Sequence, residues 1–126
     1  MKLLLDTHAF VWAIARSHLL SGRAARLIQD SENQVLVSAV CAYEIEFKRI
    51  RDPALAALPA DLNEAVRLQG FEWLSVSSSH AMAAGRLPRL SGDPFDRMIA
   101  AQALIENATL ITRDPLVAAY GPVVIW

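Results

Sequence analysis

Short apolar runs punctuate the chain, and each is followed by a polar residue that opens a helical pattern. Leu3-Leu4-Leu5 stops at Asp6, which reads as a buried strand with an acid at its C-terminal tip. Thr7 can then cap a helix through Ala9–Ala15 that sends Phe10, Val11 and Ile14 toward the core. Ser21 opens a second helix to about Asp30, with Arg23 and Arg26 on its outer face. Asn33–Ser38 is the second strand. The helix after it carries Val40, Tyr43, Phe47 and Ile50 at +3, +4, +3 spacing, with Glu44 and Glu46 at opposite edges of that stripe. Lys48, Arg49 and Arg51 lie near its end, where cations suit the helix dipole.

Pro53 and Pro59 interrupt the pattern, and Ala60–Gln69 is a helix closed by Gly70. Glu72–Val76 forms a third strand, and Ser78 caps a helix to about Arg86, on which His80 is expected to be exposed. A loop, Leu87–Gly92, leads to the best-marked helix of the chain. There Asp93 is a strong N-cap, Pro94 suits the first helical position, and Asp96 heads a stripe of Ile99, Ala100 and Ala103. Small apolar residues on that face predict close packing against a sheet. Thr109–Thr112 is the fourth strand, Pro115 opens a short helix to Tyr120, and Val123–Ile125 is a terminal strand. Strands alternating with helices at this rhythm predict an α/β fold with a mostly parallel sheet of about five strands and helices on both faces.

The 126 residues suit one domain, taken as 1–126, with one core. Hydrophobic residues make up 54% of the chain and mean hydropathy is +0.29, which leaves apolar surface for a partner. A net charge of −1 argues against wholesale capture of long DNA, although ten of the twelve basic residues are Arg and permit a local basic rim. Cys41 is the single cysteine, so no internal disulfide forms, and a small buried side chain is expected there. The apolar run Ala9–Ala15 is too short to span a membrane and does not resemble a signal peptide, so a cytoplasmic protein is expected.

The acids change the picture. Asp6 ends the first strand, Glu44 or Glu46 follows the second, Asp96 lies in the first turn of the helix before the fourth, and Asp114 follows the fourth. In an open α/β sheet the C-terminal ends of the strands share one rim. Asp6 alone also reads as an ordinary loop cap, Asp96 as a first-turn acid that suits the helix dipole, and Asp114 as a cap for the helix opened by Pro115. Together on one rim they would repel by roughly 3 kcal/mol per pair at about 6 Å and an effective dielectric of about 20. An all-carboxylate site of this kind suits Mg²⁺ or Mn²⁺, which favours hydrolysis of a phosphate ester. Periodicity leaves the choice between Glu44 and Glu46 open.

Leu-Leu-Leu-Asp-Thr-His-Ala-Phe-Val-Trp, Ser-Ala-Val-Cys-Ala-Tyr-Glu-Ile, Asp-Pro-Phe-Asp-Arg-Met-Ile-Ala-Ala-Gln-Ala and Leu-Ile-Thr-Arg-Asp, in that order, resemble a PIN domain. The likeness is nearest to the VapC-type ribonuclease toxins of toxin–antitoxin pairs and covers essentially the whole chain. It implies a PIN-like three-layer fold and a Mg²⁺- or Mn²⁺-dependent endoribonuclease acting on RNA. The resemblance assigns the metal-binding and catalytic acids to Asp6, Glu44, Asp96 and Asp114, and so selects Glu44 over Glu46. Asp93 and Thr112 are auxiliary positions, and Arg97 and Arg113 are candidate phosphate contacts. A VapB-like antitoxin and a homodimer are the implied partners, and the apolar surplus of the chain suggests a groove near the early helices where such an antitoxin would lay an apolar face. Relatives often carry a His before the Asp-Pro-Phe-Asp stretch, where this chain has Ser91 and Gly92.

Other readings fit less well. An aspartate-nucleophile phosphatase usually has a second carboxylate two residues after the first, where His8 stands. A phospho-accepting receiver needs a lysine near the last strands, and the only lysines are Lys2 and Lys48. A PIN-like module that binds RNA without cutting it would have no need of all four acids.

Overall fold

The computed structural model describes residues 1–90 and 93–126, so Ser91 and Gly92 lie outside the described residues. In chain order the elements are β1 (Lys2–Leu5), α1 (Thr7–Ala15), α2 (Gly22–Gln29), β2 (Gln34–Ser38), α3 (Ala39–Arg49), α4 (Pro53–Ala56) and α5 (Leu62–Gln69). They continue with β3 (Glu72–Leu74), α6 (Ser78–Arg86), α7 (Pro94–Glu106), β4 (Thr109–Ile111), α8 (Pro115–Ala118) and β5 (Val124–Ile125). A 3-10 turn at Ser17–Leu19 and the four-residue α4 are additions to the expected elements. Asp52 caps α4 and Pro53 starts it, so the proline expected only to break structure opens a short helix.

The five strands form one sheet in the order β3-β2-β1-β4-β5, with every pairing parallel. From β1 the chain steps outward to β2 and β3. The α6–α7 crossover then returns it to the other side of β1, so strand order reverses there. Leu3, Leu4 and Leu5 have no exposed surface, as a central parallel strand covered on both sides requires. Ile99, Ala100 and Ala103 of α7 are buried, as their spacing predicts. Edge strand β3 ends at Leu74 rather than Val76 because its partner β2 ends at Ser38, paired to Leu74. Ser38 leaves the sheet to cap α3, accepting from the Val40 N–H.

Several local expectations are corrected. Asp6, not Thr7, caps α1, accepting from the Ala9 N–H at 2.7 Å. Ser77, not Ser78, caps α6, in a capping box completed by His80. His80 is buried, not exposed: its Nδ1 accepts from the Ser77 N–H, and Nε2 lies 3.0 Å from Glu106 Oε2. On α3 the apolar stripe turns outward, with Tyr43, Phe47 and Ile50 at 62%, 67% and 85% exposure, while Cys41, Glu44 and Ile45 are buried. No helix among the described residues is long and apolar enough to cross a membrane.

Candidate active site

Asp6 is built by two elements at once. As the residue after β1 it sits at the C-terminal edge of the sheet, and as the N-cap of α1 its Oδ1 is fixed by the Ala9 N–H. Its other oxygen, Oδ2, accepts a 2.5 Å hydrogen bond from the Thr112 hydroxyl, which follows β4. Burial raises the Asp6 carboxyl above its usual range, against the lowering effect of those two hydrogen bonds. Thr112 is itself buried, and its hydroxyl also accepts from the Asp114 N–H at 3.1 Å. One hydroxyl thus sets the position of one acid and the backbone of a second. Asp114 caps α8 through the Leu116 N–H, with Pro115 in the first turn.

Glu44 comes from the buried face of α3. Its two oxygens accept from the Thr7 hydroxyl at 2.5 Å and from the Lys48 ammonium at 2.6 Å, one turn on. Glu46 instead points outward and pairs with Arg49 at 2.9 Å. Asp93 caps α7 through the Phe95 and Asp96 N–H groups. Asp96, in the first turn of α7, is half-buried, and its carboxyl is pushed up to about 7. Burial is the main cause, followed by the charges of Asp93, Asp114, Asp6 and Glu44.

The acids therefore meet. Asp6, Glu44, Asp93, Asp96 and Asp114, with Thr7, His8 and Lys48, line one cavity of about 160 Å³. A second cavity of about 370 Å³ adjoins it through Asp6, His8 and Asp114, and is bounded by Trp12, Arg113 and Pro115. Arg113 packs its guanidinium 5.2 Å from the Trp12 ring centre and remains at this rim. Arg97 is placed elsewhere: it donates to the carbonyls of Ala84, Leu87 and Pro88, closing the C-terminal end of α6. Arg97 is thus engaged by these carbonyls and does not line the acid cavity. Sequence reasoning missed Thr7, although it follows Asp6 directly, and Lys48, although four residues on a helix bring it beside Glu44.

Oxygen donors of this type suit a hard divalent cation. Among the described residues no three Asp, Glu, His or Cys side chains stand close enough together to hold one as placed. Two of the four acids are held at the cavity wall by hydroxyls and an ammonium. Burial first, and then the neighbouring acids, raise the Asp96 carboxyl, so the charges of those acids add to each other in this pocket. Donor chemistry and charge balance both fit a divalent ion.

A family model for the PIN domain matches residues 3–121. The chain belongs to the PIN domain family. This PIN domain is similar to Ribonuclease VapC22 of Mycobacterium tuberculosis (strain ATCC 25618 / H37Rv), at 30% identity over 132 residues, covering 98% of this chain and 97% of that protein. Its fold is similar to that in the crystal structure of VapBC2 from Rickettsia felis bound to a DNA fragment from their promoter. The TM-score is 0.71 at 19% identity, with 99% and 98% of the two chains covered. A toxin–antitoxin complex from Klebsiella pneumoniae is also similar, with TM-score 0.64, 20% identity and coverage of 98% and 96%.

Proposed function

We propose that this PIN domain is a divalent-metal-dependent endoribonuclease and the toxin of a toxin–antitoxin pair. The observation that carries the reading is the shared cavity of Asp6, Glu44, Asp96 and Asp114, drawn from four separate elements to one sheet edge. The likeness to a VapC ribonuclease along nearly the full length of both chains supports the RNA substrate. Similarity to toxin–antitoxin complexes supports an antitoxin partner.

In this reading the four acids hold Mg²⁺ or Mn²⁺, which would activate a water and offset charge on the phosphoryl oxygens. Thr112 orients Asp6 and the backbone of Asp114, and Thr7 orients Glu44. Arg113, on the rim beside Asp114, offers a guanidinium to the RNA backbone. An exposed apolar group of Tyr43 and Phe47, with Ile50 at the end of the helix, lies on α3, not on the early helices α1 and α2. There Tyr43 stacks on Phe47 at 6.1 Å between ring centres and meets Phe95 at 5.9 Å. This face suits a protein partner, either the antitoxin or a second copy of the chain.

The test is cleavage of structured RNA by purified protein. Activity is expected only with Mg²⁺ or Mn²⁺, with products bearing 5′-phosphate and 3′-hydroxyl ends. Cleavage that persists in excess EDTA, or cyclic phosphate products, would overturn this chemistry.

A further inference from the structure

Lys48 is placed differently from the cations that follow it. Arg49 binds the Pro59 carbonyl and Glu46, and Arg51, in the turn after α3, lies exposed beside an apolar cavity that Lys48 also borders. The Lys48 ammonium sits 2.6 Å from a buried Glu44 oxygen and lines the acid cavity with Asp6, Asp93, Asp96 and Asp114. Among the described residues it is the only Lys or Arg lining that cavity. Its side chain is half exposed, so the ammonium has a path into solvent.

We propose that Lys48 is the resident counter-cation of the acid pocket, holding Glu44 when no metal is bound and giving it up when a divalent ion enters. The inference rests on the metal-site reading above. An ammonium and a divalent ion at the same Glu44 oxygen compete, since two cations at that separation repel each other. Lys48 therefore opposes metal entry while stabilising the metal-free protein. A ligand-orienting residue would do the reverse to metal affinity, and a plain surface ion pair would do neither.

The experiment uses Mn²⁺ alone, without RNA, and reads its dissociation constant and the melting temperature with and without EDTA. Lys48→Met is expected to bind Mn²⁺ at least about threefold more tightly, the size of one partly exposed charge contact. The same variant is expected to melt below wild type in EDTA, with the gap closing at saturating Mn²⁺. Lys48→Arg, which keeps the charge, should stay near wild type, and Arg51→Met, which removes a cation outside the pocket, should leave Mn²⁺ affinity unchanged. Equal or weaker Mn²⁺ binding by Lys48→Met would overturn the proposal, as would an equal gain in Arg51→Met. Wild-type protein that binds no Mn²⁺ would bring down the metal-site reading itself, and this inference with it.

Discussion

Two threonines do much of the positioning in this pocket. Thr112 and Thr7 each spend a hydroxyl proton on one carboxylate, which fixes the rotamers of Asp6 and Glu44 while leaving oxygen lone pairs free. Among the described residues Asp96 has no such donor, and it holds its proton to about pH 7, with its neighbours' charges adding to the effect of burial. Its replacement by Asn keeps the shape and removes a ligand. Asp96→Asn is therefore expected to lower RNA cleavage by orders of magnitude with the fold intact. Asp93→Asn keeps a serviceable cap for α7 and should cost less. Glu44→Gln should abolish cleavage, while Glu46→Gln, which touches only an exposed pair with Arg49, should leave most of it. Cleavage assays beside circular dichroism check all four, and equal losses within either pair would mean that the wrong acid has been assigned.

Among the elements, the order of strands and helices was readable because each transition carries its own chemistry. Asp93-Pro94 starts α7, Gly70 ends α5 at φ 72°, and Ser38 turns β2 into α3. Faces were harder to read. Periodicity finds a stripe on α3 without saying what covers it, and the sheet takes the Cys41 and Ile45 side while Tyr43, Phe47 and Ile50 face out. The tertiary partners of polar side chains were also hidden, because they lie far apart in sequence. His80 finds Glu106 across 26 residues, and Arg97 finds the end of α6 across 9 to 13. Arg97 thus belongs to the joint between α6 and α7, completed by its place 5.8 Å from the Tyr120 ring centre. Arg97→Met leaves those carbonyls without their charged donor, at an expected cost of about 1–3 kcal/mol. Urea unfolding measures that loss, and Mn²⁺ affinity should not change. A variant of normal stability with weakened RNA binding would return Arg97 to the phosphate-contact role.

At the scale of the whole molecule, a net charge of −1 conceals an uneven distribution, with five acids around one small cavity. That concentration makes the stability of the metal-free protein depend on pH. In the unfolded chain Asp6 and Asp96 ionise near 3.8, whereas in the folded chain both are raised, Asp96 to about 7. Across this window the folded state holds more protons than the unfolded one, so stability falls as pH rises. The contribution is at its most favourable below pH 4, where these two groups are protonated in both states, and at its least favourable above about 7. In EDTA the melting temperature is therefore expected to drop between pH 5 and pH 8 by more in wild type than in Asp96→Asn. The variant comparison isolates the contribution of Asp96 from that of every other group. A divalent ion displaces those protons, so Mg²⁺ should bind more tightly as pH rises and raise the melting temperature most at pH 8. Parallel pH profiles for wild type and Asp96→Asn in EDTA would show that the acids do not strain one another, and would remove the electrostatic reason for a metal in this pocket.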